Sequence, residues 1–529
     1  MVTPKSQLHP RGPTVKSNTR FCLIIPPSIF LLDERVFASL GILRVAATLE
    51  ARDYYVEVLD LSGITNYEEV AALHAKSSTA NIFGVTATTP QMPAAHNILR
   101  AIKGAKPDAH MLLGGPHPTL INAAAKREIE RNRKGRAFNA LTQLQSAWNQ
   151  IVAGDGEKAI LHIARGDRNK LIDADKPREE LFIRKGQVDE FPFPARHLID
   201  MASYHYKIDG APSTSLIAQL GCPFNCFFCG GRYSPMLRMS RTRSTPSILA
   251  EVEFLHQKFG YTGLMFYDDE LNVNKEMIQL MNGLSDLQAK LGVEFKLRGF
   301  IKAELFTPEQ AEAMHRAGFR WILTGFESGS PRILTNIDKK ATQDDNTRCV
   351  DIARAAGLKV KALMSIGHAG ESQQTCQETA DWVLNVKPED FDVAIITTYP
   401  GSPYYDDAVQ LDKEKPIYTF THPKTGDRLH SQEIDYNVVA DYYKGDPDGG
   451  YQAYVHTDFL TSDELVKIRG EMEGGIRARL NLPWNPSAAS QAFEHSMGQL
   501  PPSILRSTEM PEFAKPKAFL DISPDAEKQ

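Results

Sequence analysis

The chain has 529 residues, room for about two to four domains, and with 42% hydrophobic and 24% charged residues it has the balance of a folded globular protein with a sizeable core. Its 60 basic and 65 acidic residues leave a formal net charge of -5, which gives no electrostatic case for a nucleic-acid partner. No apolar run approaches the ~18 residues of a membrane span.

Met1 to Asn18 is polar and carries Pro4, Pro10 and Pro13. It lacks the apolar middle of a secretory signal and is read as a disordered lead-in (1–18) to a cytoplasmic protein. The 6 cysteines do not make a disulfide scaffold in so long a chain. Three of them lie close together, which in a reducing cytosol points to metal binding or catalysis.

Residues 19–166 alternate short apolar runs with helical stretches. Strands are expected at Cys22–Pro26, Val56–Leu59, Ile82–Thr86, Met111–Leu113 and Ile151–Val152. Helices are expected at Leu43–Arg52, Tyr67–Lys76, His96–Lys103 and after Glu157. Short buried strands joined by crossover helices imply an α/β, doubly wound parallel sheet, Rossmann-like, which binds ligands beyond the carboxyl ends of its strands. Residues 125–148 read as a charged helical insertion.

Residues 167–212 read as a connector, stiffened at Phe191-Pro192-Phe193-Pro194 because each proline biases its predecessor away from helix. A second βα series fills 213–404. Its strands are expected at Leu216–Leu220, Leu264–Tyr267, Phe295–Phe300, Trp321–Phe326, Lys359–Ile366 and Val393–Thr397, with helices between them. That rhythm predicts a partial (βα)6 barrel of TIM type, with its chemistry at the carboxyl ends of the strands. Residues 405–482 read as a mainly helical or irregular C-terminal region, with one helix near Ser462–Arg479 and possible substrate contacts. Tyr442, Tyr443, Tyr451 and Tyr454 suit either packing or a pocket. Residues 483–529 form a tail containing Pro and Ser, read as extended or disordered.

The strongest chemical signal is Cys222-Pro-Phe-Asn-Cys226-Phe-Phe-Cys229. Three thiolates in one loop can bind three irons of a cubane and leave the fourth iron open, whereas iron–sulfur clusters normally take four cysteines. The alternatives are a zinc site or unligated thiols. Structural zinc wants four closed ligands, and no second cysteine pair or nearby histidine completes the set. Cys22, Cys349 and Cys376 are scattered and read as small buried residues. His197 and His205 read as surface or packing residues.

With Phe228 before the last cysteine, and Gln219-Leu220-Gly221 before the first, this loop resembles that of the radical S-adenosylmethionine (SAM) superfamily. The resemblance spans about residues 190–405. It implies a [4Fe-4S] cluster on Cys222, Cys226 and Cys229 whose open iron chelates SAM. One electron then splits SAM into methionine and a 5′-deoxyadenosyl radical, which takes a hydrogen atom from substrate. SAM contacts implied by the same analogy are Phe228, Asp268, Asp269 and Glu270 after the second strand, Arg298 on the third, Glu327 and Ser328 after the fourth, and Gly367 after the fifth. Asp268 or Asp269, and Ser328 or Ser330, equally suit helix capping. Arg298 equally suits an internal ion pair, and Gly367 equally suits the turn alone.

Leu40-Gly41-Ile42-Leu43-Arg44, Thr86-Ala87-Thr88-Thr89, Gly114-Gly115-Pro116-His117-Pro118 and Gly154-Asp155-Gly156-Glu157 resemble cobalamin-binding domains fused to such barrels. The cobalamin contacts implied are Thr86, Thr88, Gly114, Gly115, His117, Gly154, Asp155 and Gly156. The D-x-H-x-x-G signature that gives cobalt a histidine is absent. His117 is read as hydrogen-bonded within its turn rather than as a cobalt ligand, and a domain that no longer binds cobalamin is the alternative.

The resemblance implies a cobalamin-dependent radical SAM methyltransferase. It would act on a small molecule or peptide and take electrons from a donor such as flavodoxin or ferredoxin. A cyclase or rearrangement enzyme without methyl transfer, and a non-catalytic cobalamin- or cluster-binding sensor, are the other readings.

Overall fold

A computed structural model describes residues 18–29, 31, 34–442 and 451–482. Nearly all of the lead-in, the tail 483–529 and Tyr443 lie outside the described residues.

The first domain runs β1 (Arg20–Ile25), α1 (Leu40–Glu50), β2 (Tyr55–Asp60), α2 (Tyr67–Ser77), β3 (Ile82–Thr86), α3 (Met92–Ala105), β4 (His110–Gly114), α4 (Pro116–Glu130), α5 (Arg136–Ala147), β5 (Gln150–Gly154), α6 (Gly156–Ala164) and β6 (Leu171–Ala174). All six strands are parallel, in the order β2-β1-β3-β4-β5-β6. Residues 151–154 of β5 are buried throughout, as expected of a strand covered on both faces. The order reverses between β1 and β3, so the ligand crevice of such a sheet opens outside Ile25 and Thr86.

Two details differ from the sequence expectation. Strand β6 lies inside the stretch read as connector; it is a short edge strand with alternating burial and no continuous apolar run to announce it. The stretch 125–148 is not an insertion of its own. Helix α4 begins at Pro116 and is the crossover after β4, and only α5 is added.

The second domain opens with the hairpin β7 (Lys207–Ile208) and β8 (Ala211–Leu216). Then come β9 (Gln219–Leu220), α7 (Pro235–Arg238), β10 (Arg241–Thr242), α8 (Thr245–Phe259), β11 (Gly263–Phe266), α9 (Met277–Leu291), β12 (Lys296–Phe300), α10 (Pro308–Ala317) and β13 (Phe319–Glu327). It ends with α11 (Pro331–Asn336), α12 (Gln343–Ala355), β14 (Lys359–Ile366), α13 (Gln373–Val386), β15 (Asp390–Ile395) and α14 (Pro403–Asp406). Strands β8 and β11–β15 are parallel neighbours in the order β15-β14-β13-β12-β11-β8, with β7 antiparallel at the edge. This is a partial barrel of six βα steps. Capping boxes start α10 (Thr307 with Gln310), α12 (Thr342 with Asp345) and α13 (Ser372 with Thr375), so the side chains preceding each helix satisfy its first N–H groups.

The C-terminal region adds a four-stranded antiparallel sheet, β16 (Val409–Gln410), β17 (Ile417–Thr421), β18 (Arg428–Gln432) and β19 (Val455–Thr457), and then α15 (Ser462–Leu480). Its strands are short and rich in Thr, Ser and His, which hides their alternation. Among the described residues no helix is long and apolar enough to cross a membrane.

The carboxyl-end edges of the two large sheets face one another. Asp155 after β5 pairs with Arg241 at 2.6 Å, and both side chains are buried. Asp175 after β6 accepts the Met236 N–H at 2.7 Å. Arg127 on α4 and Arg131 just after it reach Asp407 at 3.0 and 2.8 Å, and Arg136 stacks on Tyr405 and Tyr418 at 3.6 and 3.8 Å.

Candidate active site

The cysteines occupy the loop between β9 and β10, whose antiparallel pairing closes its base. Cys222 donates its N–H to Leu237 O at 2.9 Å, and Phe227 donates to Ile337 O at 2.9 Å. Gly221 sits at φ +80, and a Cβ there would lie 2.4 Å from Met239 O, so only glycine allows the chain to turn into the loop. Past Cys229 the loop is pinned from both domains. A Cβ on Gly230 would touch Leu120 of α4 and Tyr399 at 3.3 Å, and one on Gly401 (φ +81) would meet Gly230 O at 2.5 Å.

Cys226 is buried, Cys222 half-buried and Cys229 exposed, and none forms a disulfide. Burial pushes the Cys222 thiol up to about 12. Burial also raises the Cys226 thiol, against the pull of Lys339 and Lys302. No three ligand atoms in the loop converge within 4.8 Å, the span of a single-ion site.

Two lysines that the sequence reading missed lie against this loop. Lys302, after β12, is buried with its ammonium 4.2 Å from the Phe224 ring, 2.7 Å from Glu304 and 3.2 Å from Lys339 O. Lys339, after α11, meets Glu327 at 3.2 Å. Burial alone would discharge it, but Glu327, Cys226 and Glu270 reverse this and hold its pKa above the ordinary lysine value. The Glu327 carboxylate also accepts from Ser365 at 2.8 Å, Ser365 meets His368 Nε2 at 2.8 Å, and Tyr404 closes the chain 3.4 Å from His368 Nδ1. Burial lowers His368 to about 4, so it is neutral. Phe228 packs edge-on against His368 and onto Ile333, Leu334 and Ile337. Neither lysine carries a sequence signal; Lys339-Lys340 reads as an ordinary surface pair until the barrel closes.

Of the residues expected to meet SAM, Glu327, Phe228, Asp269 and Glu270 stand around the loop. Burial pushes Glu270 up to about 7, against Lys339 and Lys302. Three others make contacts of their own. Asp268 is buried and accepts the N–H groups of Ala218 and Gln219, so it clamps the strand entering the loop. Ser328 bonds Thr379 at 2.9 Å and accepts the Ser330 N–H at 3.0 Å, a local turn before α11, whose N-cap Ser330 makes no side-chain cap bond. Arg298 lies beside Trp321, 5.4 Å from its ring, and 3.5 Å from the Tyr206 hydroxyl. Trp321 and Glu327 are six residues apart on β13, about 20 Å at ~3.3 Å per residue, so Arg298 is far from the cysteine face. Gly367 serves its turn: at φ +89 its missing Cβ leaves room for Ile395, Val455 and Leu465.

At the edge of the first sheet, Thr86, Gly114 and Gly115 stand at the ends of β3 and β4, beside the switch point. A Cβ on Gly115 would lie 2.7 Å from Thr86 Oγ1. Thr88 is engaged in a capping box with Gln91. His117 is buried, bonds Thr89 at 3.1 Å across turns, and is lowered by burial to about 3. Gly154 packs against the β6 end, where its Cβ would lie 2.5 Å from the Ala174 carbonyl carbon. Asp155 pairs with Arg241 and accepts the Ile183 N–H, and Gly156 packs against Val45 of α1. Arg44, in the quoted Leu40–Arg44 segment, pairs with Glu157 at 3.2 Å. A tyrosine cluster flanks this edge: Tyr436 lies 6.1 Å from His117 and 5.1 Å from Tyr442, with Tyr399 and Tyr454 beyond.

A doubly wound parallel domain thus meets a partial barrel, with a three-thiol loop at the joint. Residues 216–383 match the radical SAM superfamily and residues 34–131 the B12 binding domain. The chain thus carries a radical SAM domain together with a B12 binding domain. It is accordingly an enzyme, which sets the sensor reading aside, and its cofactors are a [4Fe-4S] cluster, SAM and cobalamin.

An uncharacterized methyltransferase of Pyrococcus horikoshii is 26% identical over 400 residues, covering 74% of this chain and 83% of its own. The anaerobic magnesium-protoporphyrin IX monomethyl ester cyclase of Rubrivivax gelatinosus is 24% identical over 408 residues, covering 73% and 70%. The fold is that of the radical SAM methyltransferase TsrM from Kitasatospora setae, with a TM-score of 0.60 at 16% identity over 89% of this chain and 90% of that one.

Proposed function

We propose that this enzyme is a cobalamin-dependent radical SAM methyltransferase acting on an unactivated centre of a small molecule or peptide, with electrons from a flavodoxin or ferredoxin. The observation that carries the reading is the placement of the Cys222–Cys229 loop between the facing carboxyl-end edges of the two domains, held by Leu120 on one side and Tyr399 on the other. Cys222, Cys226 and Cys229 would hold the cluster. Thr86, Gly114, Gly115 and Gly154 would frame cobalamin, and the His117 imidazole, already bonded to Thr89, would not bind cobalt.

When bound, the cluster and SAM supply one-electron chemistry and cobalamin supplies a methyl carrier. This chain's residues do the rest. Lys302 and Lys339 place two ammonium groups beside Cys226, which favours the thiolate over the thiol and offsets negative charge gathered there. Glu327 holds Lys339 in place, and Asp269 and Glu270 present carboxyl groups towards the Cys222 side of the loop. Phe228, Tyr404 and Phe420 wall the loop with aromatic surface and exclude water. Tyr436 and Tyr442 are buried against the first domain's apolar cluster, at the side where Tyr436 meets His117.

The test is anaerobic reconstitution with iron, sulfide and cobalamin, followed by reaction with SAM and candidate substrates. Formation of S-adenosylhomocysteine together with a methylated product and 5′-deoxyadenosine is expected. The similarity to the Rubrivivax cyclase favours a second reading, cyclisation or rearrangement. Product formation without S-adenosylhomocysteine would select it.

A further inference from the structure

A second group of ligand-type side chains lies in the first domain, away from the cofactor edges. Cys22 is the third residue of β1, Glu57 the third of β2 directly beside it, and His74 lies on the last turn of α2 above both. Their ligand atoms all fall within 4.8 Å of one another. Cys22 Sγ is 3.5 Å from His74 Nε2, and that nitrogen is 3.1 Å from Glu57 Oε1. Cys22 and His74 are buried, and Glu57 is nearly so.

We infer that Cys22, Glu57 and His74 form a zinc site with three protein ligands and a fourth position left to water, which ties β1, β2 and α2 together. The edges of a zinc tetrahedron with one S, one N and one O ligand, from bond lengths of ~2.3, ~2.05 and ~2.0 Å, are about 3.5 Å for S···N and about 3.3 Å for N···O. The observed S···N separation of 3.5 Å matches, and the N···O separation of 3.1 Å is slightly shorter than the edge. A single imidazole nitrogen faces a sulfur and a carboxylate oxygen at once, and Glu57 also hydrogen-bonds the Cys22 side chain, so three ligand-type groups converge on one small volume. A cation at the centre satisfies all three. It also balances charge: a thiolate, a carboxylate and a neutral imidazole around Zn2+ sum to zero, the arrangement that buried charges require.

The surroundings orient Glu57, while His74 Nδ1 is buried without a hydrogen-bond partner. Glu57 Oε2 accepts from the Tyr55 hydroxyl at 3.0 Å, and its Oε1 accepts from Ser78. Such outer partners fix ligand carboxylates in metal sites. Lys106, the nearest lysine, is engaged with the carbonyls of Ser78 and Ala80 at 2.9 and 2.7 Å, so it does not pair with Glu57.

The test separates this site from the cluster loop. The full chain carrying Cys222→Ala, Cys226→Ala and Cys229→Ala is stripped of metal and titrated anaerobically with Co2+. One equivalent is expected to bind with a thiolate-to-cobalt charge-transfer absorption, and Cys22→Ser in that background is expected to abolish the absorption. Ser78→Ala and Tyr55→Phe, which leave all three ligands in place, are expected to weaken cobalt binding by about tenfold. As a second measurement, wild-type chain loaded with its cluster, given one equivalent of zinc and desalted, retains one zinc, and the Cys22→Ser chain retains none. A parent chain without the thiolate–cobalt band, or a band or zinc count unchanged by Cys22→Ser, overturns the site.

Discussion

Lys339 and Glu327 form a buried ion pair 3.2 Å apart beside the cysteine loop, and the Glu327 backbone is left-handed, φ 65, to make it. The register of β13 against β14 slips between Gly325 and Glu327. That irregularity turns the carboxylate inward onto Lys339 and Ser365 instead of letting the strand alternate. A non-glycine residue held there costs about 1–3 kcal/mol, and such strain persists where surrounding structure enforces it, often at functional sites.

Replacing Lys339 with Met keeps the bulk and removes the charge. The unpaired Glu327 carboxylate is then expected to destabilise the chain by about 3–5 kcal/mol. Lys339→Met with Glu327→Gln is expected to lose less than the two single losses combined, read by denaturant unfolding as a double-mutant cycle. Loss of a positive charge beside Cys226 is also expected to move the cluster midpoint to a more negative potential, read by potentiometric titration.

His368 predicts a pH dependence. Its folded pKa is lowered to about 4 by burial, from an ordinary value of 6.5. The unfolded chain therefore binds the proton first, and stability falls as pH drops from about 6.5 to about 4. The contribution is up to about 3 kcal/mol once pH is below both values. His368→Gln is expected to flatten the stability–pH slope across that window, whatever it does to stability at neutral pH. An unchanged slope would mean that His368 titrates normally.

Gly401→Ala drives a Cβ against Gly230 O, where 2.5 Å is available. The collision falls on backbone next to Cys229, so the loop must shift. The expected result is a chain that folds with a loss of more than ~1 kcal/mol and retains less iron after anaerobic reconstitution than wild type.

Arg298→Met is expected to leave SAM affinity unchanged by equilibrium dialysis, because its guanidinium belongs to the Tyr206–Trp321 layer. Glu327→Gln, by contrast, is expected to weaken SAM binding.

The cysteine loop was legible because its ligands are contiguous, and the two sheets because buried parallel strands and crossover helices have a rhythm of their own. Strand β6 and the sheet β16–β19 were not, since short edge or half-exposed strands lack that rhythm. Within the site, Asp268 and Ser328 were named from chain position, but position does not say which way a carboxyl or hydroxyl turns; both turn onto backbone. Lys302 and Lys339 reach Cys226 only through barrel closure. In the sequence Cys22 has the look of a small buried residue, and its neighbours Glu57 and His74 come to it only when β2 pairs with β1 and α2 folds over them.

The most direct measurement is 5′-deoxyadenosine released from SAM by the anaerobically reconstituted, reduced chain, compared with Cys222→Ala, Cys226→Ala and Cys229→Ala. Release by wild type and its loss in every variant is the predicted result. No release from wild type holding its full iron, or release that survives removal of the three thiols, would contradict the account.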